Sequence, residues 1–333
     1  MSIDRILGLD LLRSLIMLLS VPYHAALIFG TWIYSSPYHQ EKNLLVYAAK
    51  FSSLFRMEMF FFLAGFFSIL IIKKKGVDYF INSRVTKLII PFVTIYIFLC
   101  LIFSIVAGFK VYDIYSAFFG HLWFIYTLLL LIVLTLVLEK FNLLYSVKFK
   151  TFLLAFLVSF SSILFKDQDT LIFYSFIVYL PSYLLGIFIF SYKNDIKIRY
   201  FFLLIMFTII LLITKFFLKL NENEENINSI YMFCDMIDLV VAYPIIIILF
   251  FIFKNLIDLK NNKFLKIMTE SSLYIYLFHH PFVPFFAYIF DRKGINSYLL
   301  FFMTCGSTFI VCFLIFLFIK KNQILMNLFS VRK

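Results

Sequence analysis

Apolar stretches of membrane-spanning length recur along the whole of this 333-residue sequence, with short, mostly basic segments between them. A run of ~20 apolar residues wound as an α-helix covers ~30 Å, the thickness of a bilayer's hydrocarbon core. Ten such stretches can be delimited, at roughly 6–30, 44–72, 88–107, 119–138, 151–165, 171–191, 200–218, 230–253, 267–290 and 298–319. In lipid every backbone N–H and C=O must be satisfied within the protein, and a helix does this by itself. The expected fold class is therefore an all-α integral membrane protein with about ten transmembrane helices. A soluble chain would need far more polar surface than 63% hydrophobic and 14% charged residues provide. No linker or shift in composition divides the chain, so residues 1–333 are expected to form a single membrane domain. The stretch 151–165 is short, and a re-entrant hairpin with 171–191 would lower the helix count without altering the rest.

The net charge of +12 is distributed unevenly. With the N-terminus inside, the inner segments carry 20 Lys and Arg and the outer loops 6. This bias places both termini in the cytoplasm. The positive charge then faces the anionic lipids of the membrane surface, and no nucleic-acid partner is expected. The first apolar stretch lacks a small-residue cleavage site and is interrupted by Asp10 and Arg13, which reads as a retained helix rather than a signal peptide. Cys100, Cys234, Cys305 and Cys312 fall in or beside apolar stretches, with no spacing of a disulfide framework, and read as small buried hydrophobes.

Ionisable side chains at membrane depth are costly unless they face a partner or a wet cavity. Arg13 and His24 both lie in the first stretch. Eleven residues turn a helix through about 1100°, so the two share a face while standing ~16 Å apart along the axis. They are too distant to pair, and they read as two stations on one wall of a cavity. Asp10, three residues before Arg13, is within reach of its guanidinium. Arg56 falls near mid-membrane and is expected to point into the bundle, with Glu58 on a different face of the same helix. Arg84 and Lys87 stand at the inner mouth of the third stretch. They either hold phosphates of a nucleotide-bearing donor or are ordinary positive-inside charge. His121 opens the fourth stretch, level with His24 and beside Trp123, an aromatic-belt residue. His279 and His280 point ~100° apart on a helix, so one at most is expected to face the same cavity, and Pro281 loosens the helix there. His39 reads as a surface residue. No pair has the spacing of metal ligands, and no metal is expected.

In order along the chain stand Arg13-x10-His24, FRMEMFFFLAGFFS at 55–68, the basic stretch Arg84 to Pro91, HLWF at 121–124, PSYLLGIF around Gly186 and SLYIYLFHHP at 272–281. This set resembles the acyltransferase-3 family of bacterial multi-span membrane enzymes and covers most of the chain. The wording around Arg13, Arg56 and His279 is most similar to the branch that succinylates periplasmic glucans. Glu58 departs from that branch, where an uncharged residue is expected.

The resemblance implies an acyltransferase of the bacterial inner membrane. It would move an acetyl or succinyl group from cytosolic acetyl-CoA or succinyl-CoA to a sugar hydroxyl of an envelope glycan or lipid-linked saccharide. Acyl-CoA is then a co-substrate, and no permanently bound cofactor is expected. His24 would act as general base or as a covalent acyl relay. Arg13, Arg84 and Lys87 would meet the donor. His121 and one of His279 and His280 would position the acceptor or stabilise an oxyanion. Asp10, Arg56, Glu58 and Trp123 are supporting residues. Two rivals remain at this point: a transporter or flippase for a lipid-linked saccharide, which would consume no acyl donor, and a non-catalytic membrane subunit, which would tolerate loss of His24.

Overall fold

A computed structural model of the protein describes residues 7–27, 44–94, 96–97, 123–162, 171–192, 199–220, 227–255, 263–291 and 296–329. Among the described residues every regular element is helical. The first six are α1 (Leu7–Leu18), α2 (Ser20–Leu27), α3 (Leu44–Lys75), α4 (Val77–Arg84), α5 (Trp123–Lys140) and α6 (Phe149–Ser162). There follow α7 (Leu171–Tyr192), α8 (Arg199–Leu220), α9 (Ile227–Asn255), α10 (Lys263–Asp291), α11 (Ser297–Lys321) and α12 (Gln323–Leu328).

Six of these, α3, α5, α7, α9, α10 and α11, are long and apolar enough to cross a membrane. The other four expected stretches stand differently. The stretch 6–30 is divided between α1 and α2, and α6 has only 14 residues, ~21 Å of helix. The apolar part of α8 is Leu203–Leu218. Most of 88–107 lies outside the described residues. Lys73, Lys74 and Lys75 close α3, where cations complement the helix C-terminus. Gly76 then turns the chain with φ +84°, a conformation glycine adopts without steric cost.

The chain divides into two compact units. The first comprises Leu54–Ile81 and Leu122–Phe253. Its organising contact is between α3 and α7, where Gly65 meets the Tyr183 backbone and Gly186 meets the Phe62 backbone. A Cβ at either glycine would overlap a carbonyl oxygen, so glycine is what permits this approach. Phe61 stacks on Tyr179 at 4.8 Å and Phe66 meets Phe190 at 5.5 Å, so the contacts advance in one direction and the two helices run parallel. The Tyr183 hydroxyl joins Thr135 of α5 at 2.6 Å and donates to Ser68 of α3 at 3.0 Å. Helix α6 lies antiparallel on α7, through Phe149 with Phe188 and the Ser159 hydroxyl donating to the Val178 carbonyl. Lys215 of α8 and Asp238 of α9 form an ion pair.

The second unit comprises Ser2–Ser53, Asn82–His121 and Lys254–Lys333. Helix α10 is its hub and packs on α1, α2 and α11, while α11 also packs on α2 and α12. The Tyr274 hydroxyl donates to the Phe329 carbonyl beyond α12, and Lys320 donates to Glu270 at 2.7 Å. Asn296 caps α11 by accepting from the Tyr298 N–H.

Candidate active site

His24 is carried by α2, one turn of helix beyond a break at Leu19. Pro22 has no N–H, so the Leu18 carbonyl loses its partner four residues on. The Leu19 N–H still donates to Leu15 and that of Tyr23 to Leu19, so the chain stays wound through the break. The eleven-residue separation of Arg13 and His24 therefore still amounts to about three turns.

Against the His24 ring lie both histidines of α10. His279 is 5.2 Å away, tilted by 42°, and His280 is 5.5 Å away, edge-on at 83°. The spacing along a helix allowed one of the pair to face His24, whereas both do. The two rings diverge by 84° with centroids 6.5 Å apart, and His24 makes contact with each. His279 is fully buried, and its Nδ1 bonds the Tyr276 carbonyl one turn back. A carbonyl can only accept, so Nδ1 carries the proton and Nε2 is the lone-pair nitrogen of the neutral ring. Pro281 and Pro284 follow within α10 and remove two N–H donors from the turn that presents the histidines.

Arg13 and Asp10 meet at 3.4 Å on α1, with the arginine side chain 38% exposed. An ion pair so open to its surroundings contributes little stability, and its value is in aiming the guanidinium. Arg84 ends α4 half-buried, and Lys87 is exposed in a π-helical turn, Val85–Ile89. Wide turns of this kind are frequent at functional sites. Arg56, Glu58 and Trp123 belong to the first unit, where Arg56 is buried. His121, His39 and Cys100 lie outside the described residues.

Three polar residues of the second unit do not stand out in the sequence. Ser20 stands four residues before His24 on α2, and Thr304 and Thr308 stand four apart on α11. Their hydroxyl oxygens are sealed and have no hydrogen-bond partner among the described residues. Hydroxyls on other helices bond back to the preceding turn, as Ser14 of α1, Ser68 of α3, Thr127 and Thr135 of α5 and Thr208 of α8 do. Four-residue spacing of hydroxyls in an apolar stretch was the available signal. Replacing Thr304 and Thr308 together by Val is expected to leave the thermal midpoint of the solubilised protein unchanged or raise it by a few degrees. A clear fall would mean that the hydroxyls are bonded.

A family model described as an acyltransferase domain matches residues 6–317. The chain belongs to the acyltransferase-3 family. Among curated proteins it is similar to glucans biosynthesis protein C of Salmonella typhi, 24% identical over 346 aligned residues, covering 91% of this chain and 88% of that protein. The protein of the same name from Escherichia coli (strain K12) is 32% identical over 145 residues, 38% of this chain and 36% of its own. No solved structure matches. This acyltransferase-3 protein is thus a multi-pass membrane acyltransferase.

Proposed function

We propose that this protein is an O-acyltransferase of the bacterial inner membrane, with about ten transmembrane helices, cytoplasmic termini and residues 1–333 as one catalytic domain. It moves an acetyl or succinyl group from cytosolic acyl-CoA to a sugar hydroxyl of an envelope or periplasmic glycan. The observation that carries this reading is the contact of His24 with His279 and His280, a group of imidazoles within an apolar helix bundle. The names of the glucan-biosynthesis relatives support a glucan-like acceptor.

Imidazole is suited to proton transfer near neutral pH. On the general-base route, His24 takes the proton of the sugar hydroxyl as its oxygen attacks the thioester carbonyl. The C–O bond forms, the C–S bond breaks, and the CoA thiolate recovers the proton from the imidazolium. On the covalent route, a His24 nitrogen attacks the thioester first, the C–S bond breaks and CoA leaves as thiolate. The sugar hydroxyl then displaces the imidazole from the acyl carbon, and its proton passes to the thiolate. In either case His279, its Nδ1–H held by the Tyr276 carbonyl, orients the acceptor by accepting from a sugar hydroxyl at Nε2, and His280 positions the acceptor or meets the oxyanion. His121 is assigned the same kind of role. Arg13, aimed by Asp10, meets the donor's phosphates together with Arg84 and Lys87.

Arg13→Ala is expected to raise the KM for acyl-CoA about tenfold, the loss of one charge-assisted contact, with a smaller effect on kcat. An unchanged KM in steady-state assays on solubilised protein would remove Arg13 from donor binding.

A further inference from the structure

Six exposed lysines gather at one end of the first unit. Trp123 and Thr135 of α5 meet Tyr179 and Tyr183 of α7 in the same order, so α5 runs parallel to α7 and α3, while α6 returns against them. The C-terminal ends of α3 and α5 therefore share one end of the unit with the start of α6. Lys73, Lys74 and Lys75 close α3, Lys140 closes α5, and Lys148 and Lys150 flank Phe149 where α6 begins. Among the described residues none of the six forms an ion pair, the neighbouring carboxylates of Asp78 and Glu139 included. Lys215 and Lys320, by contrast, are each held by a carboxylate.

The helix dipoles account for only part of this charge. Lys73, Lys74, Lys75 and Lys140 complement the C-terminal ends of their helices. Lys148 and Lys150 stand in the first turn of α6, where a cation opposes the dipole, so their own helix gives no reason for them. Between the two groups lies an aromatic shelf. The Lys73 ammonium is 5.6 Å from the centre of the Phe190 ring, and Phe149 meets Phe188 at 6.0 Å. Phe188 and Phe190 both belong to α7, so Lys73 reaches the shelf from α3, and Lys148 and Lys150 flank it from α6. Phe149 is 54% exposed, and Leu153, Leu154, Leu157 and Val158 continue an exposed apolar strip along α6.

Unpaired cations beside an open apolar strip select one kind of ligand. A soluble anion would engage the ammonium groups and leave the strip bare. A zwitterionic phospholipid would cover the strip but bring a cation of its own to the lysines. A glycerophospholipid of net negative charge satisfies both parts. We propose that this end of the first unit is a binding site for an anionic glycerophospholipid, with its phosphate at Lys73, Lys148 and Lys150 and an acyl chain along the exposed face of α6. The site stands apart from the transfer chemistry and does not depend on it.

The full-length protein, solubilised and stripped of bound lipid, is given equal amounts of phosphatidylglycerol and phosphatidylcholine with identical acyl chains, and retained lipid is counted by native mass spectrometry. Phosphatidylglycerol is expected to be retained in preference. The triple variant Lys73→Gln, Lys148→Gln and Lys150→Gln should lower phosphatidylglycerol affinity about tenfold or more and leave phosphatidylcholine unaffected. A control, Lys263→Gln with Lys266→Gln and Lys321→Gln, removes the same charge from exposed positions of the second unit and should bind as the parent does. The single reversal Lys148→Glu suits a helix N-terminus, so the weaker lipid binding expected of it does not come from unwinding α6. No preference in the parent, undiminished binding by Lys148→Glu, or an equal loss in both triple variants overturns the site. Displacement of the lipid by millimolar inorganic phosphate would also overturn it, because the lysines would then serve a soluble anion.

Discussion

Glycan acylation is expected to vanish from cells whose protein carries His24→Ala, with the variant still inserted and folded. Loss of a general base lowers the rate by ~10²–10⁴, and loss of a covalent relay removes the route entirely. Either effect takes an envelope-glycan assay to background. The fold should tolerate the change, because alanine is the better helix former and His24 is only half-buried on α2. The checks are mass analysis of the glycans and the thermal midpoint of the purified variant, which should stay within a few degrees of the parent. Added imidazole gives a further check on the role of His24, since partial rescue of His24→Ala would show that a diffusible imidazole can take the proton or the acyl group in its place. Full acylation by a folded His24→Ala protein would remove His24 from the chemistry.

Gly186→Ala is expected to have the largest effect on stability. The added methyl carbon would overlap the Phe62 carbonyl oxygen and stand 2.8 Å from the Phe66 nitrogen. Both are backbone atoms, so no rotamer change relieves the clash, and α3 and α7 must separate. Separation also strains the Tyr183 bonds to Ser68 and Thr135 and opens the stack of Phe61 on Tyr179. The expected cost is ~2–3 kcal/mol or more, visible as a drop of several degrees in thermal midpoint and a shift to aggregate in size exclusion. Gly65→Ala should behave alike, since its methyl would overlap the Tyr183 carbonyl oxygen. A folded Gly186→Ala protein with the parent's midpoint would mean that these helices do not approach as described.

What the sequence discloses here follows from polarity. Arg13, His24 and Asp10 stand out because lipid penalises them, and the structure brings Asp10 to Arg13 and both α10 histidines to His24. Gly76 was legible as a break after three lysines because glycine ends helices. The break at Leu19 was legible in principle from Pro22, but a proline within an apolar stretch also occurs in unbroken spans. The rest was hidden for a physical reason. Helices apolar on every side carry no periodic signal of which face turns inward, so the meeting of Gly65 with Tyr183 and of Gly186 with Phe62 could not be read. Hydroxyls such as Thr304 and Thr308 ordinarily bond their own helix, and only coordinates tell which of them do not. Two adjacent histidines reaching one ring depended on how α2 lies against α10.

Purified protein in liposomes, given acyl-CoA labelled in its acyl group together with a glucan, separates acyl transfer from transport in one measurement. Label should pass from thioester to glycan with release of free CoA, and neither should occur with His24→Ala. Saccharide that crosses the bilayer chemically unchanged, with the thioester left intact, would contradict the assignment.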